Sequence, residues 1–216
     1  MVLSAAHQLC RGIKLDPSYN IRARYVILSL PMKTIIIDHD DSFTFNLQHW
    51  LAPICTEIKV INHRDLQKSL YANLVVLSPG PKTPSDYPHV IDFVKNLSER
   101  TAVYGVCLGL QMLVQASGGK IGPYTPPLHG KKSKLEVIEP QYNFLQDAFV
   151  ARYHSLYCSD YNPEHFKTLA LAQEDKIPMW LKHNKKKWMG VQYHPESFLT
   201  ADAELHLKAL SDWLAT

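Results

Sequence analysis

The chain has 216 residues, 46% of them hydrophobic and 20% charged, with a formal net charge of +3. That length suits one domain, two at most, with a sizeable core; the composition excludes a disordered chain, and no apolar run is long enough for a membrane helix. The excess of +3 falls entirely in residues 1–31, where Arg11, Lys14, Arg22 and Arg24 stand against Asp16, so residues 32–216 are neutral overall, which argues against nucleic acid as the partner.

Residues 1–31 lack clear periodicity. Their apolar stretch from Tyr25 to Leu30 is short, and no small-residue cleavage pattern follows it. A poorly ordered extension or an upstream start is the expectation here, with one folded domain over 32–216. That domain opens on a continuous apolar strand at 33–38, of the kind whose two faces are both covered. Asp41 and Ser42 are predicted to cap a helix with Phe43, Leu47, Trp50 and Leu51 on one face and Pro53 at its end. Strands at 57–61 and 74–78 follow. A Pro-rich turn then leads to a helix burying Val90, Ile91, Val94 and Leu97, and a strand at 101–106 runs into a helix that stops at Gly118-Gly119. This alternation predicts an α/β fold, a mostly parallel, flavodoxin-like sheet flanked by helices.

The second half changes character. Residues 122–134 read as a Pro/Gly/Lys loop, followed by strand-like pieces at 134–139, 149–153, 167–173, 177–183 and 187–193, which predict a small antiparallel appendage. Lys185-Lys186-Lys187 after Asn184 reads as a solvated hairpin turn. A last helix, capped by Asp202, carries Leu205, Leu210, Trp213 and Leu214. Cys10, Cys55, Cys107 and Cys158 are far apart, without a C-x-x-C pair, which points to a reducing, cytoplasmic compartment and no structural zinc. The eleven His form neither an H-x-x-x-H nor an H-E-x-x-H pattern, so neither a metal nor another cofactor is expected.

The strongest chemical signal is Gly105-Val106-Cys107-Leu108-Gly109 at a strand-to-helix turn. A nucleophile there is exposed by the sharp turn, glycines remove Cβ atoms that would clash, and the helix N-terminus favours a thiolate. The Leu108 amide is a candidate oxyanion donor. A buried, inert Cys between packing glycines fits the pentapeptide equally well. A thiolate needs a base, and in His194-Pro195-Glu196 the two ionisable residues project to one face of an extended segment, so that Glu196 can orient the imidazole. Taken alone this is also an ordinary strand end. Ser78-Pro79-Gly80-Pro81 ends the third strand, and in a parallel sheet such C-terminal ends build the ligand crevice. The N–H of Gly80, between two prolines that cannot donate, is free to meet a bound oxygen; a rigid connector is the plainer reading.

Six motifs together, DSFTFN (41–46), LSPGPKTPSD (77–86), GVCLG (105–109), HG (129–130), RYHSL (152–156) and GVQYHPES (190–197), resemble the class I glutamine amidotransferases. Within them the chain is most similar to the glutaminase components of anthranilate synthase and aminodeoxychorismate synthase. The motifs span roughly 33–199 in the family's order, and their joint occurrence is specific where each alone is weak. The resemblance implies Cys107 as nucleophile, His194 as general base and acid, and Glu196 as its orienter. It implies oxyanion donors at Gly80 and Leu108, and glutamine-binding positions at Gln111, Ser155 and Leu156. L-Glutamine would be hydrolysed to glutamate and ammonia, and the ammonia passed to a larger chorismate-binding synthase subunit in a heteromer, with His129-Gly130 near that partner. Tryptophan and folate synthesis both remain open. So do two rivals, a stand-alone cysteine γ-glutamyl hydrolase and a binding subunit that has lost activity. Two positions depart from the family: Leu110 replaces the usual His of C-L-G-H-Q, and Lys82 follows P-G-P, where projection into solvent is the favoured reading.

Overall fold

The computed structural model describes residues 32–67 and 70–216, so the expectation for residues 1–31 lies outside them. The first strand, β1 (Lys33–Asp38), pairs in parallel with β2 (Glu57–Asn62) on one side and β3 (Leu74–Leu77) on the other. β3 pairs in parallel with β4 (Ala102–Val106), and β4 in parallel with β11 (Trp188–Val191). The sheet then turns antiparallel through β10 (Pro178–His183), β9 (Phe166–Ala172), β6 (Lys131–Val137) and β7 (Phe149–Arg152). The antiparallel strands are thus mostly a continuation of the main sheet. Among the described residues only β5 (Lys120–Pro123) and β8 (Leu156–Asp160) form a separate two-stranded sheet.

Successive residues of a strand point to opposite faces, so an unbroken apolar run serves two cores. Ile36, Val76 and Tyr104 face one cluster with Leu47, Trp50, Leu207, Leu210 and Trp213. Ile35, Ile37, Val75, Leu77 and Val103 face the other with Val90, Ile91, Val94, Leu110 and Leu113. Helices α1 (Thr44–Leu51) and α4 (Ala203–Leu214) therefore cover one face, and α2 (Pro88–Lys95) and α3 (Leu108–Ala116) the other. Each fully buried Leu, Ile or Val contributes ~1.5–3 kcal/mol relative to exposure. A hydrogen bond from Trp50 Nε1 to the Ala203 carbonyl, 2.9 Å, ties α1 to the start of α4.

Several local expectations are corrected. Neither Asp41 nor Ser42 occupies the N-cap of α1, which is Phe43. Asp41 Oδ1 instead accepts from the Phe43 N–H at 2.8 Å, and Asp38 Oδ1 at the end of β1 accepts from the Thr44 hydroxyl at 2.7 Å. Asp202 does occupy the N-cap of α4, but in a left-handed conformation (φ 51°) and with no side-chain cap; its carbonyl accepts from the Leu205 N–H. Leu205 is only half-buried, whereas His206, Leu207 and Ala209 are buried. Pairing with partners elsewhere in the chain makes strands of two parts of the 122–134 stretch read as loop: Gly122 and Pro123 pair with Tyr157 and Leu156, and Lys131–Lys134 with Phe149–Arg152. The lysine run is the hairpin turn between β10 and β11, held by His183 Nδ1, which accepts from the N–H groups of Lys185 and Lys186.

Candidate active site

The parallel order of β3, β4 and β11 brings their C-terminal ends to one edge. Val106 lies opposite Val191, and the Cys107 N–H donates to the Val191 carbonyl at 2.7 Å. Residues 192–197 therefore leave β11 beside the turn that carries Cys107. That turn is tight: Cys107 has φ 52° and ψ −103° and is the N-cap of α3. A non-glycine residue in such a conformation costs ~1–3 kcal/mol and persists only where its surroundings impose it. Glycines impose it here. A Cβ on Gly105 would lie 2.4 Å from the Gly109 carbonyl carbon, one on Gly109 2.3 Å from the Leu77 carbonyl oxygen, and one on Gly190 2.6 Å from the Gly105 oxygen. β4, β11 and α3 thus meet backbone to backbone.

His194 Nδ1 and Glu196 Oε1 are 2.8 Å apart, and both side chains are withdrawn from solvent. Burial by itself disfavours an imidazolium. The Glu196 carboxylate outweighs that penalty, aided by Cys107, and holds the His194 pKa well above its ordinary value. His194 Nε2 is buried, and the Cys107 side chain stands close enough to the imidazole to favour its charged form. Catalytic hydrogen bonds often tighten only with substrate bound.

The other expected positions converge on the same place. A Cβ on Gly80 would lie 2.8 Å from Leu108 Cδ2, so the P-G-P turn sits against the first residue of α3, whose N–H has no intrahelical partner. Gln111 is buried, and its Nε2 donates to the Leu156 carbonyl at 3.0 Å. Ser155 is exposed, and its carbonyl accepts from the Tyr124 N–H at 2.7 Å. Lys82 projects into solvent. Leu110 is fully buried in the core against Gly190, so it is a packing residue with no surface to offer a partner. The 129–130 segment packs nearby, with the Gly130 Cβ position 3.5 Å from Tyr153 Cε1 and 3.8 Å from Leu199 Cδ1.

The contacts of three side chains were not anticipated. Phe43 and Tyr153 each bring a ring centroid within 5.1 Å of the His194 ring, walling the imidazole with apolar surface. Gln192 bridges Gln111 and Cys107, its Nε2 lying 3.4 Å from Sγ. The i, i+2 spacing of Gln192 and His194 was a usable signal, since it sets both on one side of an extended segment.

The family model for class I glutamine amidotransferases matches residues 35–210. The chain belongs to this family. Among relatives of the amidotransferase, it is 36% identical over 191 residues to the pyocyanine-specific anthranilate synthase component 2 of Pseudomonas aeruginosa, covering 84% of this chain and 94% of the relative. It is 34% identical to anthranilate synthase component 2 of Halobacterium salinarum, covering 78% of this chain and 91% of the relative. In the anthranilate synthase of Azospirillum brasilense, 31% identical over 83% of this chain, the match occupies 25% of a much longer protein. The solved structure described as a GMP synthase component from Thermoplasma acidophilum superposes with a TM-score of 0.72 at 19% identity, over 86% of this amidotransferase and 95% of that chain, which shows the shared fold. Among the described residues no helix is long and apolar enough to cross a membrane.

Proposed function

We propose that the chain is the glutaminase subunit of a chorismate-using synthase, with Cys107, His194 and Glu196 as its catalytic triad. The observation that carries this reading is the buried His194–Glu196 hydrogen bond of 2.8 Å, on the segment that leaves β11 beside the strained Cys107 turn. The Cys107 thiolate attacks the side-chain amide carbon of L-glutamine, and the Gly80 and Leu108 N–H groups face the oxyanion. The tetrahedral species collapses as His194 gives its proton to the leaving nitrogen, releasing ammonia and leaving a glutamyl thioester. Neutral His194 then takes a proton from water, whose oxygen attacks the thioester to release glutamate and restore the thiolate–imidazolium pair. Gln111, Ser155 and Leu156 hold the amino-acid part of the substrate.

Ammonia is nucleophilic only while unprotonated, so a sheltered transfer to a docked synthase subunit is required. The relatives' names favour anthranilate as the product over 4-amino-4-deoxychorismate. The longer Azospirillum relative supports a larger partner, since there the matching segment is part of a single chain. The unpaired Cys55, Cys107 and Cys158 suit the cytoplasm.

The test is Cys107→Ser in the complex with the synthase chain. Glutamine-dependent product formation should vanish while ammonia-dependent formation continues, and retained glutamine use in the variant defeats the assignment. Efficient cleavage of γ-glutamyl peptides by the isolated chain would favour the stand-alone hydrolase.

A further inference from the structure

Gln192 lies just beyond the end of β11 and is fully buried. A buried carboxamide must find partners for its oxygen and its two N–H groups. One end of this side chain lies 3.1 Å from Gln111 Nε2 and the other 3.4 Å from Cys107 Sγ. Which end is which follows from a neighbour whose role is fixed. The Leu156 carbonyl can only accept, so the Gln111 atom 3.0 Å from it is the NH2 group. The second N–H of that group needs an acceptor, which makes the adjacent Gln192 atom its oxygen. The Gln192 atom facing sulfur is then the nitrogen, and the contact is N–H donating to Sγ. A neutral thiol is a weak acceptor and a thiolate a strong one, so this contact favours the ionised sulfur.

We propose that Gln192 is the hydrogen-bond donor that stabilises and aims the Cys107 thiolate, and that through Gln111 it ties the sulfur to the substrate pocket at Leu156. The proposal rests on the reading of Cys107 as nucleophile. It adds a residue of the GVQYHPES motif that acts on the reacting atom directly, besides the triad's His–Glu pair. A single carboxamide holds the sulfur and the glutamine-binding side chain in one register, so loss of Gln192 disturbs the chemical step and binding together.

The test uses the full chain, in complex with its synthase partner for turnover, and the variants Gln192→Met, which keeps the length and removes the donor, and Gln192→Glu, which keeps the shape and offers only acceptors. Alkylation of Cys107 by iodoacetamide is followed against pH, with the modified site identified by peptide mass. The midpoint should move to higher pH in Gln192→Met, and the rate at neutral pH and kcat should each fall by roughly ten- to a hundredfold, as for one hydrogen bond to a charged group. Gln192→Glu should fall further, because it sets a negative charge beside the sulfur. Folded variants that alkylate with the unchanged pH profile overturn the proposal and leave Gln192 a spacer. Should the variants misfold, the unaltered protein decides: in an isotope-labelled sample the Gln192 side-chain amide protons should shift with the same pH midpoint as Cys107 alkylation, and an amide indifferent to that titration overturns the proposal. Failure of the underlying reading looks different, since Cys107→Ser would then retain glutaminase turnover.

Discussion

Glu196 Oε1 accepts from His194 Nδ1 at 2.8 Å, and the carboxylate's other oxygen is buried without a hydrogen-bond partner. Among the described residues the imidazole is thus the one side chain that hydrogen-bonds this buried carboxylate, and the pair must be understood as a unit.

Replacing that carboxylate changes the pH dependence first. With Glu196→Gln, burial of His194 is no longer outweighed, and its pKa falls from its raised position. Imidazolium, the proton donor to the leaving nitrogen, then disappears at lower pH, so the alkaline limb of the glutaminase pH–rate profile should move to lower pH. The rate itself should drop by roughly two orders of magnitude, while rapid quenching still traps a thioester. An unshifted profile would remove Glu196 from the triad.

The glycine contacts predict where the turn cannot yield. In Gly109→Ala the new methyl would sit 2.3 Å from the Leu77 carbonyl oxygen and 2.7 Å from Leu77 Cβ. The loss should be ~1–3 kcal/mol or more, seen as a thermal midpoint lowered by roughly 2–4 °C per kcal/mol. Because the displaced helix start carries the candidate nucleophile, glutaminase activity should fall further than stability does. Gly118→Ala meets no atom within 4 Å, although its φ of 84° adds a local strain; it should cost only ~1 kcal/mol and retain turnover.

Restoring the family's usual histidine at position 110 should bring no catalytic gain. Leu110 is fully buried beside Gly190, and an imidazole there lacks an evident hydrogen-bond partner. Leu110→His is expected to lower stability by ~1–3 kcal/mol and to leave turnover near wild type at temperatures where the chain is folded. A large gain in kcat would show that position 110 takes part in the reaction.

Acid should unfold the protein through buried neutral histidines. Burial is the main cause that lowers His39 to about 3 and His154 and His206 to about 4; the neighbouring His63 adds to it at His39, and Arg152 at His154. In the unfolded chain each titrates near the ordinary 6.5, so below that pH the unfolded state binds more protons than the folded one. The stability is fully present above pH 6.5 and declines as pH falls toward about 4, by up to ~1.4 kcal/mol per unit for each residue. Unfolding midpoints in urea should drop steeply over this range, and less steeply in His206→Asn; equal slopes would contradict the assignment of His206.

Much of this protein was legible before folding was considered. Strand β1, the alternation of strands and helices in the first half, the elbow at Cys107 and the His194-Pro195-Glu196 segment rest on local patterns: apolar runs, punctuating glycines and prolines, and the i, i+2 geometry of an extended chain. Helix caps were less legible. Asp41 and Asp202 had the right chemistry at nearly the right place, yet Asp38, fixed by β1, took part of the first role, and a left-handed backbone turned the second side chain away.

The sequence by itself determined the family and the residues available for chemistry, because those are carried by short motifs whose meaning does not depend on distant partners. Tertiary structure alone decided which side chains meet. Gln192 reaches Cys107 across 85 positions of chain, and Phe43 and Tyr153 close on His194 from two other elements. The pairing of β4 with β11 and the backbone contact between Gly190 and Gly105 set the distance from Gln192 to Cys107. Strand register is a property of the assembled sheet, and a one-residue slip of β11 against β4 would turn Gln192 and His194, which follow β11, away from Cys107.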